Sequence, residues 1–469
     1  MSESDALFAV LRRSADENAT AALETLIRAA PEHALARINA LDFAARAGLR
    51  EEEAIAVLLH AARVGILDMS WNVLCPGCGG VLDAGATLKA VQQDAYECVL
   101  CALGMRPTLD EMVEVVFTVS PRVRRIGAHD PHSLPIREYY RQVLWSSGIA
   151  LPEQGFEELL DEVTLDAVEL PPGERAVMSL TLPAEFIIIF EPVSHTAVFV
   201  DVKGEPTRER RQISMVFGRG TSPTGMQTMQ PGPLRLSLDN RTETRVLPSV
   251  LIAAAPLEEL IGRRKPFLTA RRLLSNQTFR DIYQTDTLTV DQRLRITSLT
   301  FLFTDLRGST ELYERVGDLV AFDLVRNHFR VLLDIVAEES GAVIKTIGDA
   351  VMATFLTPEQ AVSAALRMRE GMRAFNAAHG RDDLSLKIGI HEGPCLAVLL
   401  NERQDFFGQT VNVASRVQGA ANSTAIVVTG PIVGDPATAR LIERAGSAPI
   451  PRPTALRGLA HEVTLYEIP

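Results

Sequence analysis

The sequence lacks an apolar run long enough to cross a bilayer. Its longest candidate, EFIIIFEPVSHTAVFV at 185–200, is broken by Glu191, Pro192 and His195, well short of the roughly 20 apolar residues a spanning helix needs. No signal-peptide pattern is visible either. Positive charge is in deficit: 47 Lys and Arg stand against 59 Asp and Glu, giving a formal net charge of -12. That excludes a chain whose main task is gripping phosphate backbones, which needs a clustered basic surface. Cysteine is scarce, with five in 469 residues. Four of them fall in two C-x-x-C pairs, and without a secretory context that pattern favours a metal over disulfides and predicts a reducing, cytoplasmic compartment. No tract is of low complexity. The remaining composition, 46% hydrophobic and 23% charged, is that of a globular chain long enough for two to four domains.

Apolar spacing divides the chain into five segments. Residues 1–74 read as helical, because Leu41, Ala44 and Ala45, then Ile55, Leu58, Leu59 and Ala62, recur three and four apart. Part of this segment resembles a helix-turn-helix. However, residues 31–74 hold four arginines, no lysine and six acidic residues, with Glu51, Glu52 and Glu53 where a second helix would begin. Acid there suits the helix dipole and repels phosphate, which favours helical packing or protein contact over DNA.

Residues 75–110 carry Cys75, Cys78, Cys98 and Cys101 in a C-x2-C-x19-C-x2-C spacing. It is the pattern of a zinc-ribbon-like structural Zn²⁺ site, in which four thiolates close a tetrahedron and leave no place for reactive water. Residues 111–255 turn to short apolar or alternating runs punctuated by Pro, Gly and Asn, as in a β-sandwich or small barrel. Residues 256–296 read as helical with basic patches at Arg263, Arg264, Lys265, Arg271, Arg272 and Arg280. They suit either a solvated linker face or a helix that sets how two protomers meet.

The segment 297–469 carries the chemistry. Its pattern is strand (SLTFLFTD), long helix (309–338), strand hairpin (AVIKTIGDAVMATF), helix (358–379) and strand (LSLKIGIHEG), which is the order of a split βαβ, ferredoxin-like α+β domain. In the long helix Phe322, Val325, Phe329, Leu332, Leu333 and Val336 are expected to form one buried stripe. Asp305 in FTDLRGST ends its strand, and Asp349 in KTIGD follows Gly348 at a hairpin tip, so neighbouring strands can present both carboxylates at one sheet edge. Two such carboxylates suit two hard cations. Gly308 permits close backbone approach, and Ser309 and Thr310 stand near a helix start whose free N–H groups can cradle phosphates. Asn412 and Arg416, four apart in TVNVASR, project from one helix face.

Taken together, FTDLRGST, KTIGD and DFFGQTVNVASR resemble the catalytic core of class III adenylate and guanylate cyclases over about 299–435, with a weaker match at ALRGLAHEVTLYEI. The resemblance implies the ferredoxin-like fold, two Mg²⁺ or Mn²⁺ ions on Asp305 and Asp349, and phosphate binding by the 308–310 turn. It also implies base recognition by Lys345 and Asp405, ribose orientation by Asn412, and transition-state stabilisation by Arg416.

Lysine donates to adenine N1 and aspartate accepts from the 6-amino group, the pattern of the adenylate-forming members, whereas guanylate-forming relatives place glutamate and a small residue there. In these enzymes one domain supplies the metal aspartates and another the base readers, Asn and Arg. One chain carrying both sets therefore implies a head-to-tail homodimer acting on ATP.

The family's additional C-terminal lysine is missing near Leu459, where Arg457 is the nearest cation. The expectation is an adenylate cyclase controlled by an unidentified ligand or protein acting on the N-terminal half. The alternatives are a guanylate cyclase, or a silent nucleotide sensor joined to a zinc-stabilised binding module.

Overall fold

The protein is described from a computed structural model over residues 3–92, 95–218, 226–283, 288–289, 291–307, 314–382, 384–400, 402–421, 425–457 and 462–469. Two compact units form: 1–107 with 111–268, and 108–110 with 269–469. No helix among the described residues is long and apolar enough to cross a membrane.

The first unit opens on helices whose ends the sequence writes plainly. Asp16 accepts from the Ala19 backbone N–H at 2.9 Å, and Asn39 accepts from Leu41 at 2.9 Å, capping Glu17–Ala29 and Ala40–Ala47. Gly48 and Gly65, at φ 66° and 82°, end Ala40–Ala47 and Glu51–Val64 in the left-handed conformation that glycine adopts without steric cost. A three-stranded sheet follows, with Leu67–Leu74 between Val81–Gly85 and Val113–Val119.

Farther on, the helix Ile136–Tyr139 runs into a π-helical turn, Tyr140–Leu144. Among the described residues the β-rich region is a sandwich with no closed barrel. Strands Arg211–Phe217, Gly232–Asn240 and Arg175–Leu182 face a five-stranded sheet that includes Phe186–Glu191, Thr196–Val202 and Ser249–Ile252. Alternate residues such as Leu234, Leu236 and Leu238 pack against Ile187, Ile189, Val198 and Val200 to make its core.

The second unit is built on a sheet whose order is 342–347, 350–355, 294–307, 385–400, 426–429, 463–468 and 450–454, with 403–407 paired to 385–400. The first four are antiparallel and obey the ferredoxin-like order. Helices Asp318–Glu338 and Pro358–Ala378 cover one face, packing on Leu302, Leu306, Val351, Leu386, Ile388 and Ile390.

Helix Gln409–Gly419 covers the other face. It lies so close that a Cβ on Gly389 would come 2.1 Å from the Gln418 backbone nitrogen, which is why a glycine interrupts the β-branched run there.

Three expectations need correction. The long helix does not run unbroken from 309. Residues 314–316 are helical, Gly317 breaks the path at φ 76°, and Asp318–Glu338 follows. The buried stripe is also shifted: Ala321, Leu324, Val325, His328, Leu332, Ile335 and Val336 are buried, while Phe322 is 60% and Leu333 39% exposed. Finally, 256–296 is not one helix. Among the described residues it contains three short ones, Ala255–Gly262, Ala270–Leu274 and Gln277–Ile282, and Leu294 already begins the first core strand.

Candidate functional site

The edge of the sheet assembles the metal-binding candidates. Strand Leu294–Arg307 pairs with Ala350–Phe355 only as far as Thr304↔Val351, but with Ser385–Leu400 through Arg307↔Ser385. Asp305 is therefore not the strand's last residue; it is the first beyond the Ala350–Phe355 pairing. Strand alternation puts it on the face opposite Leu302 and Leu306, the face that carries helix Gln409–Gly419.

Asp349 sits in the turn after Gly348, whose φ of 65° only glycine takes easily. Burial raises the pKa of Asp305, the Asp349 charge raises it further, and Lys387 and a hydrogen bond from Gln418 oppose the shift. Lys387, the cross-strand partner of Asp305, brings Nζ to 3.9 Å from its carboxylate. Among the described residues Asp349 Oδ2 is buried without a hydrogen-bond partner. Two facing carboxylates, one holding an unpaired buried oxygen, form a donor set that suits a divalent cation.

Lys345 and Asp405 form an ion pair, with the lysine side chain 41% and the aspartate 10% exposed. The other oxygen of Asp405 accepts from the Phe406 backbone N–H at 2.8 Å. Behind the pair lies Arg280. Its Nη2 donates to the carbonyls of Ile344 at 3.3 Å and Gln404 at 3.0 Å, joining the two strands that carry Lys345 and Asp405. Burial lowers its pKa to about 10, against the pull of Asp405.

Sequence reasoning gave Arg280 only a place in a basic patch, since nothing local foretells a contact across 124 residues. Lys387 was missed for the same reason, because cross-strand pairing is not written in the run KIGI. The other basic residues of that patch are engaged too: Arg264 donates to the Gly77 carbonyl at 2.6 Å, and Arg271 pairs with Asp110 at 3.3 Å.

Asn412 and Arg416 lie on helix Gln409–Gly419, whose Thr410, Val413, Ala414 and Val417 face the sheet. Asn412 is exposed and Arg416 partly so. Among the described residues no carboxylate pairs with Arg416, and it is not among the charges acting on Asp305. Gly308, Ser309, Thr310 and Leu459 lie outside the described residues; Arg457 is exposed.

The four cysteines come together in the first unit, their sulfurs all within 4.8 Å of one another. Cys75–Cys101 is 3.6 Å and Cys78–Cys98 3.7 Å, close to the roughly 3.8 Å edge of a tetrahedron with metal–sulfur bonds of about 2.3 Å. Each pair sits in a tight knuckle. Cys75 N–H donates to the Gly80 carbonyl, Gly80 N–H donates to Cys78 Sγ at 3.4 Å, and Cys98 is paired to Leu103 across a turn. A Cβ on Gly77 would stand 2.9 Å from Cys101 Sγ, so this residue must be small. Hydrogen bonding to Cys101 pulls the Cys75 thiol far down and pushes Cys78 up, as expected of sulfurs crowded around one centre. The cluster can hold a metal ion.

Comparison with known proteins accounts for both halves. Residues 292–434 match the model of the adenylate and guanylate cyclase catalytic domain. An adenylate cyclase of Streptomyces griseus is 31% identical over 198 residues, 41% of this chain and 44% of that protein. The receptor-type guanylate cyclase gcy-8 of Caenorhabditis elegans is 31% identical over 134 residues, 26% of this chain and 12% of that protein. The chain thus spans less than half the length of either relative. The crystal structure of the adenylyl cyclase CyaB from P. aeruginosa is 25% identical, covers 38% of this chain and 96% of its own, and superposes with a TM-score of 0.34. Residues 1–281, more than half of the sequence, match a second model, and the chain accordingly belongs to the family of unknown function DUF5939, here carrying a nucleotide cyclase domain at its C-terminal end.

Proposed function

We propose that the chain is an adenylate cyclase that converts ATP to 3′,5′-cyclic AMP and pyrophosphate at a site shared by two copies of itself. The observation that carries the choice of adenine is the Lys345–Asp405 pair. Its ammonium donates to adenine N1 and its carboxylate accepts from the 6-amino group, whereas guanine would set donor against donor and acceptor against acceptor. Arg280 acts as a positioning residue by fixing the two strands that present the pair.

Asp305 and Asp349 would hold Mg²⁺ or Mn²⁺, which when bound lowers the pKa of the attacking 3′-hydroxyl and neutralises phosphate charge. Arg416 supplies fixed donors and permanent charge to the α-phosphoryl oxygens as they gain charge in the transition state, and Asn412 orients the ribose. Each site is completed by a second copy, one copy giving the aspartates and the other Asn412 and Arg416. The cysteine cluster is assigned a structural zinc, because four sulfurs close the coordination shell. Incubating the full chain with ATP or GTP and either metal, then identifying the cyclic product, tests this reading; cyclic GMP as the main product would overturn the base assignment.

A further inference from the structure

The first unit contains a cavity of 460 Å³ that the cyclase chemistry does not use, a size typical of small-molecule sites. Helices Glu17–Ala29, Glu32–Ala36 and Ala40–Ala47 wall one side, and the π-helical turn Tyr140–Leu144 with the segment after it walls the other. A π-turn accommodates an extra residue against its hydrogen-bond ladder and is common where side chains are aimed at a ligand. This one carries Arg141 and Gln142 to the cavity.

The cavity wall is unevenly charged. Arg46 is held by Asp42 at 3.1 Å and Glu153 at 2.9 Å, and Lys265 by Asp42 at 3.4 Å. Among the described residues Arg37 and Arg141 have no ion-pair partner. Arg37 gives one N–H to the Trp145 carbonyl at 2.7 Å. The Glu114 charge acts on Arg37 without a direct ion pair, its carboxylate accepting from Asn72 at 2.9 Å and from Ser147 at 3.0 and 3.1 Å. Arg141 makes long contacts to the carbonyls of Pro152 at 3.5 Å and Glu153 at 3.3 Å, and its guanidinium lies over the Phe156 ring, 5.4 Å from the centroid.

Among the described residues two polar atoms of cavity-lining side chains also lack a hydrogen-bond partner. Gln142, 6% exposed, donates its Nε2 to Glu138, which fixes the amide orientation and leaves Oε1 buried without a partner. Trp145, 4% exposed, has a buried indole N–H with none. Buried polar groups are rarely left this way unless something outside the chain satisfies them.

We propose that this cavity binds a small organic oxyanion with an aromatic or apolar body. The oxyanion pairs with the guanidinium groups of Arg37 and Arg141, the body lies against Phe43 and Trp145, and polar atoms on it meet Gln142 Oε1 and the Trp145 N–H.

The test titrates the full chain with the anionic fluorophore 1-anilinonaphthalene-8-sulfonate and with its uncharged counterpart N-phenyl-1-naphthylamine, a readout independent of cyclase activity. Saturable binding of the anion at one site per chain is expected, with the neutral probe at least tenfold weaker. Arg141→Gln should weaken anion binding about tenfold, and Arg141→Lys should recover part of it, since guanidinium and ammonium share the charge but not the fork. Thermal melts check that both variants stay folded, since Arg141→Gln also removes the guanidinium from over the Phe156 ring. Displacement by benzoate or by phenyl phosphate identifies a carboxylate or a phosphate as the preferred headgroup. The proposal is overturned if the two probes bind equally, if Arg141→Gln binds as tightly as wild type, or if neither competitor displaces the fluorophore.

Discussion

Lys345 and Asp405 are joined in an ion pair across 60 residues of sequence, with the carboxylate nearly buried and the ammonium facing outward. A pair so placed can open toward a base edge without losing the scaffold beneath it, because Arg280 ties together the carbonyls next to each partner.

The pair sets a prediction about specificity. Exchanging it for the guanylate pattern, Lys345→Glu with Asp405→Cys, should lower kcat/KM for ATP by about 100-fold or more and raise the GTP-to-ATP ratio, since each mismatch leaves a buried polar group unpaired. Loss of the Asp405 carboxylate also removes an opposite charge acting on the buried Arg280, which should lower stability. A thermal melt should register that cost. An unchanged nucleotide ratio in the folded variant would remove these residues from base recognition.

Asp349 carries a second prediction. Its unpaired Oδ2 and its repulsion of Asp305 contribute nothing favourable to the metal-free fold. Asp349→Asn should therefore melt at or above the wild-type temperature while losing cyclase activity by at least about 1000-fold, the scale of losing a metal-held transition-state charge. Activity retained in the folded variant would contradict the metal assignment.

The raised pKa of Asp305 fixes a sign for pH dependence. A carboxyl whose folded pKa lies above its ordinary 3.8 binds protons more readily when folded. Its contribution favours the fold below that ordinary value and is lost as pH rises through the raised one. Without metal, the melting temperature of wild type relative to Asp305→Asn should thus fall as pH climbs from about 4 to 7. Added Mn²⁺ should reverse the difference at the upper end, where the carboxylate is ionised. A difference that moves in wild type's favour with rising pH, in the absence of metal, would show that burial and the Asp349 charge do not raise the Asp305 carboxyl.

For the cysteine cluster, elemental analysis of the purified chain should find one zinc per chain beyond any cyclase-site metal. Stripping it with a chelator, or replacing Cys78 by Ser, should lower the melting temperature of the first unit's transition, since a structural metal's binding energy is folding energy. Full stability after complete removal of zinc would leave the cluster without that role.

Much of the second unit was legible because its signals are local. The hairpin 342–355 announces itself through alternating residues around Gly348-Asp349, and Thr357, Pro358 and Gln360 mark the start of the helix that runs to Ala378. The two C-x-x-C knuckles were equally plain. Less legible were features set by partners distant in sequence. Periodicity alone could not tell which of two overlapping apolar stripes on Asp318–Glu338 faces the sheet, and Phe322 and Leu333 went to the wrong side. Strand pairing likewise carried Leu294–Arg307 past Asp305 on one side only, a difference that no local pattern encodes. Arg280 and Lys387 escaped notice because their roles exist only once far strands meet. The cavity beside Arg37 and Arg141 is likewise made by helices and a π-turn about a hundred residues apart.

The central claim is that ATP is cyclised at a site to which two copies contribute, and subunit complementation tests it most directly. Asp305→Ala and Arg416→Ala should each be inactive. Mixed in equal amounts and allowed to exchange subunits, they should make cyclic AMP from ATP at about a quarter of the wild-type rate, because half of the dimers then hold one intact site of two. No cyclic AMP from a mixture in which heterodimers are demonstrated would contradict the shared site.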